Sequence, residues 1–408
     1  MIHYAWVIAF TGTLVTILAH GFARMSYSVI LPSMKDGLGL SYTQLGSIAT
    51  GNFIGYLSLA IIGGFLAARF GVRKVVFISL VVIGLSLFLT GFADSFVFAF
   101  FMRLVTGAGN GGSFVPIMAL PAAWFATGKR GVATGIVASG IGAGLFFSGI
   151  VLPPVIAALG RDGWRYAWFL LGTTVFVLAF VCYALLRDNP AEKGVSPYGG
   201  VEERKTGTRL TLFSALRDVV VEREIWKLGI VYLMYGFSYI IYLTFFVAYL
   251  TKETGVPPVS AGRIFSVMGI LSVFCGVIFG WISDVLGRRY GLMIAYLTLA
   301  LSYVVFVFWK DYAGYYASAI IFGLAAFSVP TIMATASGDA MGDRLAPAGL
   351  GFITFFFGVG QALGPVIGGV IKDSTGTFTY AFILSAAISL VGAFGSLILR
   401  KPRAVRSG

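Results

Sequence analysis

Long apolar runs recur along the whole chain, separated by short polar segments. Twelve of these runs are about 20 residues or longer, enough for a helix to cross the roughly 30 Å hydrocarbon core of a bilayer. A polar stretch from Arg187 to Lys227 divides them into two groups of six. The runs fall near 5–33, 43–68, 73–93, 95–126, 131–158, 164–187, 225–251, 259–283, 289–309, 312–338, 345–371 and 377–399.

The pattern predicts an all-α membrane protein of twelve transmembrane helices in two six-helix bundles. We expect an N-terminal bundle over 1–187, a central loop over 188–224, a C-terminal bundle over 225–400 and a tail over 401–408. The composition excludes a water-soluble domain, because only 11% of residues are charged and the mean hydropathy is +0.92, against roughly 25% charged in soluble domains. No Lys or Arg precedes the first run near Ala5, which favours an uncleaved helix over a signal peptide.

The distribution of basic residues predicts the orientation. A net charge of +13 would suggest nucleic acid as a partner of a soluble protein, but here Lys and Arg lie mostly in short loops. Twenty of the 29 fall on one side of the predicted spans and seven on the other. This bias places both termini and the central loop in the cytoplasm, in the cell (cytoplasmic or inner) membrane. Cys182 and Cys275 lie inside apolar runs, which favours packing over a disulfide or metal site.

The two halves of the chain resemble each other. Corresponding segments recur in the same order at offsets of 211 to 216 residues. Two parallel halves of this kind are typical of secondary transporters with a binding site at mid-membrane. The matches pair His20–Tyr27 with Tyr235–Tyr242, Gly64–Gly71 with Gly280–Gly287, Pro154–Ile156 with Pro365–Ile367, and Tyr166–Phe169 with Tyr380–Ile383.

Two loops and one helix carry a family resemblance that covers the whole chain. The segment Gly280-Trp-Ile-Ser-Asp-Val-Leu-Gly-Arg-Arg289 resembles the signature loop of the major facilitator superfamily, with Val285 in place of its first basic residue. The first-half copy, Gly64–Lys74, has Ala68 where the family has aspartate. Arg103-Leu-Val-Thr-Gly-Ala-Gly is similar to the family's fourth-helix motif. The resemblance implies a conformational latch formed by Gly64, Arg69, Gly71 and Arg73, and by Gly280, Asp284, Gly287, Arg288 and Arg289.

Two further segments resemble branches of this family that move organic anions. Arg24–Pro32 is similar to the first helix of the anion:cation symporters, and Trp124–Gly135 is similar to the monocarboxylate and oxalate/formate branch. The resemblance implies a transporter working by alternating access, monomeric by family default, without cofactor or metal. An enzyme is disfavoured, since there are only two histidines and no zinc-ligand spacing such as His-Glu-x-x-His.

Few ionisable side chains lie within the predicted spans, and these are the candidates for substrate binding. All sixteen acidic residues fall in loops or at span ends, which leaves His20, Arg24 and Arg103. Spacings of four and three put His20, Arg24 and Tyr27 on one helical face. In this family the first and seventh helices face each other across the cavity, so we expect cationic groups on one wall and phenols on the other. The predicted substrate contacts are Arg24, His20, Tyr27, Arg103, Asn110, Tyr235, Tyr239, Tyr242 and Gln361, with Asn52, Tyr56, Ser328 and Thr331 as lesser cavity polars.

Several roles stay open at this level. An arginine fork suits a carboxylate, yet Arg24 could instead donate to helix carbonyls as a structural clamp. Arg103 is a candidate for anion contact or for gating, and His20 for proton coupling or for a hydrogen bond. Asn110 stands where proton-coupled anion:cation symporters commonly carry an acid, which argues against coupling through a protein carboxylate. Protons remain a candidate coupling ion.

The leading hypothesis is a secondary active or facilitative carrier of small organic anions, with monocarboxylates as the favoured substrates. The alternative is a carrier or efflux transporter of neutral or lipophilic molecules, with Arg24 structural. A membrane receptor or scaffold would usually need a sizeable soluble domain, and the longest predicted loop has only about 40 residues.

Overall fold

The computed structural model describes residues 3–200 and 218–400, and over these residues the chain is almost entirely helical. The predicted tail, 401–408, and residues 201–217 of the predicted central loop lie outside this part. The helices are α1 Tyr4–Thr16, α2 Tyr27–Leu38, α3 Tyr42–Phe70, α4 Val72–Thr90, α5 Phe96–Ala119, α6 Pro121–Trp124, α7 Thr127–Ala158, α8 Gly163–Leu185, α9 Arg223–Lys252, α10 Pro258–Leu286, α11 Arg288–Phe308, α12 Tyr312–Ala325, α13 Ser328–Thr375 and α14 Thr379–Ser396.

The predicted spans match these helices closely. Among the described residues, ten helical stretches are long and apolar enough to cross a membrane, and α3, bent at Ile61, makes an eleventh. The remaining predicted span is α5, whose 24 residues would extend about 36 Å. Arg103, Asn110 and several glycines interrupt its apolar residues. The prediction of an all-α membrane fold is confirmed.

The first predicted span is not one regular α-helix. Between α1 and α2 the backbone forms a π-helical turn, Ile17–Met25, so that the whole span runs from Tyr4 to Leu38. A π-helix bonds each N–H to the carbonyl five residues earlier, as Ser26 N does with Gly21 O at 3.1 Å. Such turns are rare and frequently lie at functional sites. This turn contains His20 and Arg24.

The tenth and eleventh predicted spans are also interrupted. A turn at Ala326 and Phe327 separates α12 from α13, and Phe327 has non-helical torsions. Farther along, Gly342 (φ 70°, ψ 165°) breaks α13 between these two spans. A left-handed φ of this kind is readily adopted only by glycine.

The described chain divides into two compact units. The first comprises 3–200 together with 244–273, and the second comprises 218–243 together with 274–400. In the first unit, α3 packs along α5 through glycines: a Cβ at Gly55, Gly107 or Gly111 would collide with backbone of the facing helix. Small residues that let backbones approach are typical of membrane helix contacts. In the second unit, α11 packs against α12 and α14.

Candidate functional site

Arg24 is a buried cation that makes no hydrogen bond or ion pair with any residue in the described chain. It is 8% exposed, and its guanidinium carbon lies 4.3 Å from the ring centre of Phe53 and 5.2 Å from that of Tyr56. Cation–π contacts of this kind are attractive, but they satisfy no N–H donor. Both Nε and Nη2 are buried without a partner. Arg24 therefore donates to no helix carbonyl.

His20 lies in the same π-helical turn. Its ring centre is 4.1 Å from that of Phe114 and 5.8 Å from that of Tyr56. Nδ1 is buried and has no partner. His20 and Arg24 thus share Tyr56 as a neighbour, as the predicted common face requires.

Tyr27 lies in a different environment from His20 and Arg24. Its hydroxyl donates to the carbonyl of Leu45 at 2.8 Å, and its ring stacks on Trp168. The guanidinium carbon of Arg103 is 5.2 Å and 5.3 Å from the ring centres of Tyr27 and Trp168. The phenol is therefore occupied by contacts within the first unit.

Arg103 and Asn110, both on α5, are engaged with the backbone of the first span. Arg103 Nη1 donates to the carbonyl of Ala23. With its amide nitrogen turned toward the acceptors, Asn110 donates to the carbonyl of Ala19 at 2.8 Å. Both side chains are buried, at 1% and 0% exposure. A contact of either side chain with substrate stays a prediction. In this structure both donate hydrogen bonds to carbonyls of the π-helical turn.

In the second unit, Tyr235 and Tyr239 stack on each other with ring centres 4.5 Å apart and planes 3° apart. Phe357 of α13 stacks beside both rings. The Tyr235 hydroxyl donates to the carbonyl of Ala326, at the break between α12 and α13. Gln361 Nε2 donates to the Tyr239 hydroxyl, and Gln361 Oε1 is buried without a partner. These residues form one aromatic and amide cluster.

Tyr242 does not belong to this cluster. Its hydroxyl bonds to Ser318 Oγ at 2.6 Å, and Ser318 donates on to the Ser302 carbonyl at 2.7 Å. Its ring packs among Tyr303, Phe306, Phe322 and Phe382. The regular spacing of Tyr235, Tyr239 and Tyr242 thus conceals two environments.

Asn52, Ser328 and Thr331, three of the lesser polar candidates, donate hydrogen bonds to backbone carbonyls. Asn52 Nδ2 donates to the carbonyl of Arg103 at 3.2 Å, while its Oδ1 is unpaired. Ser328 donates to the Ala325 carbonyl at 2.7 Å, and Thr331, which is exposed, donates to that of Phe327 at 3.3 Å. No group of acidic, histidine or cysteine side chains suited to a metal occurs among the described residues.

Two of the predicted second-half latch residues, Asp284 and Arg288, belong to an ion-pair network at the α10–α11 turn. Arg288 pairs with Asp284, four residues earlier, and its Nε donates to Asp339 of α13 at 2.8 Å. Arg289 instead donates to the hydroxyl of Tyr290 at 2.6 Å. The contribution of Asp339 was missed by sequence reasoning, because its separation of 51 residues from Arg288 gives no local signal. The latch role itself stays a prediction.

In the first-half loop, a carboxylate from the segment after α8 contacts the start of α4. Asp188, just after α8, accepts the backbone N–H of Arg73 at 2.7 Å, and its carboxylate lies against Gly71. The Arg73 side chain donates to the carbonyl of Tyr183 at 2.8 Å. A carboxylate at the first turn of α4 complements the helix dipole. The motif comparison noted the missing acid at Ala68 but gave no signal for this replacement.

The remaining latch residues make fewer contacts. Arg69 is exposed and lies over the ring of Phe70, 5.3 Å from its centre. A Cβ on Gly64 would sit 3.6 Å from Val115, an ordinary contact, and one on Gly280 would meet nothing within 4 Å. Neither glycine is required by a close approach in this structure.

Comparisons with known proteins agree with this architecture. The chain is 27% identical over 396 residues to a probable sulfoacetate transporter of Cupriavidus necator, covering 92% of this chain and 89% of the relative. It is 24% identical to the hexuronate transporter of Bacillus subtilis, covering 93% and 91%. A solved structure of a bacterial homologue of the human lysosomal transporter Spinster, in an inward-facing and occupied conformation, matches with a TM-score of 0.79 at 14% identity, covering 98% and 97%.

The family model of the Major Facilitator Superfamily matches residues 13–353 and 228–408, which together span nearly the whole chain. The relatives are transporters and not enzymes. The chain is therefore a multi-pass membrane protein that belongs to the major facilitator superfamily.

Proposed function

We propose that this protein carries small organic anions across the cell membrane by alternating access, with Arg24 binding the anionic group. The observation that carries the proposal is the buried, unpaired guanidinium of Arg24. An uncompensated buried charge costs several kcal/mol, and a bound anion would offset that cost. No acidic residue lies within a predicted span to do so instead.

The contacts around Arg24 suit a small anion with an apolar part. Phe53, Tyr56 and Phe114 surround the two donors, Arg24 and His20. One arginine fork matches one carboxylate or sulfonate group. Relatives named as sulfoacetate and hexuronate transporters support an organic anion, and a single carboxylate is the form we favour.

The alternative of a neutral substrate assigns Arg24 a structural role. A structural arginine in a membrane span would donate to carbonyls or pair with an acid, as Arg103 does with Ala23. Arg24 has neither kind of partner within the described chain. This contrast between two arginines on neighbouring helices favours the anion.

The test is uptake into proteoliposomes. Wild type is compared with Arg24→Gln over a panel of labelled monocarboxylates, sulfoacetate, hexuronates and an uncharged amide analogue, with and without an inward proton gradient. Arg161→Gln, an exposed arginine, is the matched control. We expect saturable anion uptake in wild type and in the control, and at least a ten-fold loss in Arg24→Gln.

Two outcomes would contradict the proposal. If the protein takes up the uncharged amide analogue and none of the anions, the neutral-substrate alternative is favoured. Undiminished anion uptake by folded Arg24→Gln would remove Arg24 from the site. A stimulation by the proton gradient would assign coupling to a group other than a mid-span carboxylate, for which His20 is the candidate.

A further inference from the structure

Two side chains of α5 hold two carbonyls of the π-helical turn. Asn110 donates to Ala19, and Arg103 donates to Ala23. Each held carbonyl immediately precedes a candidate ligand, because His20 follows Ala19 and Arg24 follows Ala23. The two donors lie seven residues apart on α5, and the two carbonyls that they bind lie four residues apart on the first span.

The π-helical turn needs such partners. A switch between α- and π-helical hydrogen bonding disturbs the regular pairing of carbonyls, and in a bilayer each of them must find a partner within the protein. Three carbonyls of the turn accept side-chain donors. Ala19 and Ala23 receive the donors from α5, and Phe22 accepts the hydroxyl of Ser26.

The opposite side of the turn is fixed by backbone contact. Gly21 lies against Gly144 of α7 so closely that a Cβ on either would collide with the Cα of the other. The turn is therefore held between donors from α5 and the backbone of α7. The Arg103 guanidinium also lies close to both of the stacked rings of Tyr27 and Trp168.

We propose that Asn110 and Arg103 are positioning residues, which hold the π-helical turn so that Arg24 and His20 point into the anion site. This assignment rests on the proposed role of Arg24. Asn110 then affects anion affinity only through the direction of the Arg24 side chain, and does not touch the substrate.

A double-mutant cycle tests the assignment. Anion uptake kinetics are measured for wild type, Asn110→Ala, Arg24→Gln and the double variant, each checked for folding by size-exclusion chromatography and thermal unfolding. Ser113→Ala is the matched control, because Ser113 is a buried α5 residue that bonds only to carbonyls of its own helix, Gly109 and Asn110. Arg103→Lys, which keeps the charge and an ammonium donor in place of the guanidinium, provides a second variant.

We expect Asn110→Ala to raise KM by about five- to ten-fold with the maximal rate within two-fold of wild type. In the Arg24→Gln background the same substitution should change KM by less than two-fold. Arg103→Lys should fall between wild type and Asn110→Ala, and Ser113→Ala should match wild type.

The possible failures are distinguishable. If Arg24→Gln leaves KM unchanged, the proposed function itself fails. If Arg24→Gln raises KM but Asn110→Ala leaves it unchanged, or raises it by the same factor in both backgrounds, the positioning role is overturned. Equal effects of Ser113→Ala and Asn110→Ala would also overturn it, since they would indicate a general loss of packing.

Discussion

The two unpaired nitrogens of Arg24, Nε and Nη2, lie on the same edge of the guanidinium group. This edge can donate two parallel hydrogen bonds to the two oxygens of a carboxylate. A lysine has a single compact ammonium group and cannot reproduce the fork. We therefore predict that Arg24→Lys retains transport but raises KM for a carboxylate about ten-fold, measured by uptake into proteoliposomes.

The comparison with Arg24→Gln separates charge from shape. Lysine keeps the charge and loses the fork, whereas glutamine loses the charge. If Arg24→Lys transports with the KM of wild type, a positive charge suffices and bidentate binding is not used. If Arg24→Lys is as impaired as Arg24→Gln, charge alone contributes little.

At the residue scale, the sequence singled out these residues as candidates but gave no signal of their separate environments. Arg24 and Arg103 are both arginines within apolar runs, and hydropathy treats them alike. Only the structure separates them, because Arg103 donates to Ala23 while no residue of the described chain accepts a hydrogen bond from Arg24. Tyr239 and Tyr242 likewise look equivalent in the sequence but differ in the structure. Their hydrogen-bond partners, Gln361 and Ser318, are distant in the chain.

At the element scale, the two signature loops each contain a glycine with nearly the same backbone conformation. Gly71 (φ 89°, ψ 145°) separates α3 from α4, and Gly287 (φ 92°, ψ 153°) separates α10 from α11. This region of torsion space is essentially restricted to glycine. The internal repeat seen in the sequence therefore extends to the torsion angles of single residues.

We predict that Gly287→Ala lowers the free energy of unfolding by about 1–3 kcal/mol, because alanine is strained in this conformation. Gly71→Ala should cost more, since its Cβ would also collide with Asp188. Gly280→Ala is the control: this glycine lies inside α10 with open space around it, and alanine favours helix by about 1 kcal/mol. Thermal unfolding in detergent measures all three, and a loss in Gly280→Ala equal to that in Gly287→Ala would contradict the torsional argument.

Hydrophobic periodicity predicted the helices, but it carried no signal for their interruptions. The π-helical turn and the break at Ala326 depend on partners from other helices. In the first half, Asn110 of α5 donates to Ala19. In the second, Tyr235 of α9 donates to Ala326, at the break between α12 and α13. In the first half the fourth span donates to the first, and in the second half the seventh span donates to the tenth. Hydrogen bonds between distant spans of this kind leave no signal in any single run of residues.

At the scale of the whole molecule, the compact units do not coincide with the halves of the sequence. The first unit includes 244–273, from α9 and α10. Within this unit α10 packs on α7 through glycines two turns apart: Gly262 faces Gly149, and Gly269 faces Gly142. The predicted bundles, 1–187 and 225–400, remain a prediction drawn from the repeat.

An ion pair inside the first unit gives this arrangement a test. Lys252 at the end of α9 pairs with Asp36 of α2, beside a cavity of about 280 Å³ lined in part by Val29, Ser33 and Pro258. If α2 and α9 separate during the alternating access that we propose, this pair stabilises only the states in which the two helices are together. The side chains of Lys252 and Asp36 are 35% and 57% exposed, and exposed pairs contribute at most about 1 kcal/mol. Its loss should therefore shift the conformational equilibrium by up to about five-fold.

We predict that Lys252→Gln increases the rate at which a membrane-impermeant maleimide labels Ser33→Cys by two- to five-fold, in a background without Cys182 and Cys275. Reversing the pair, as Asp36→Lys with Lys252→Asp, should restore the slow rate. The difference between Lys252→Gln and its parent should shrink in high salt, which screens exposed charges. Lys35→Gln removes a neighbouring cation that lies over the Tyr42 ring, so it should leave labelling unchanged. If Lys35→Gln accelerates labelling as much as Lys252→Gln does, the net charge matters and not the ion pair. If Lys252→Gln leaves the labelling rate unchanged, the ion pair does not stabilise the state in which α2 and α9 are together.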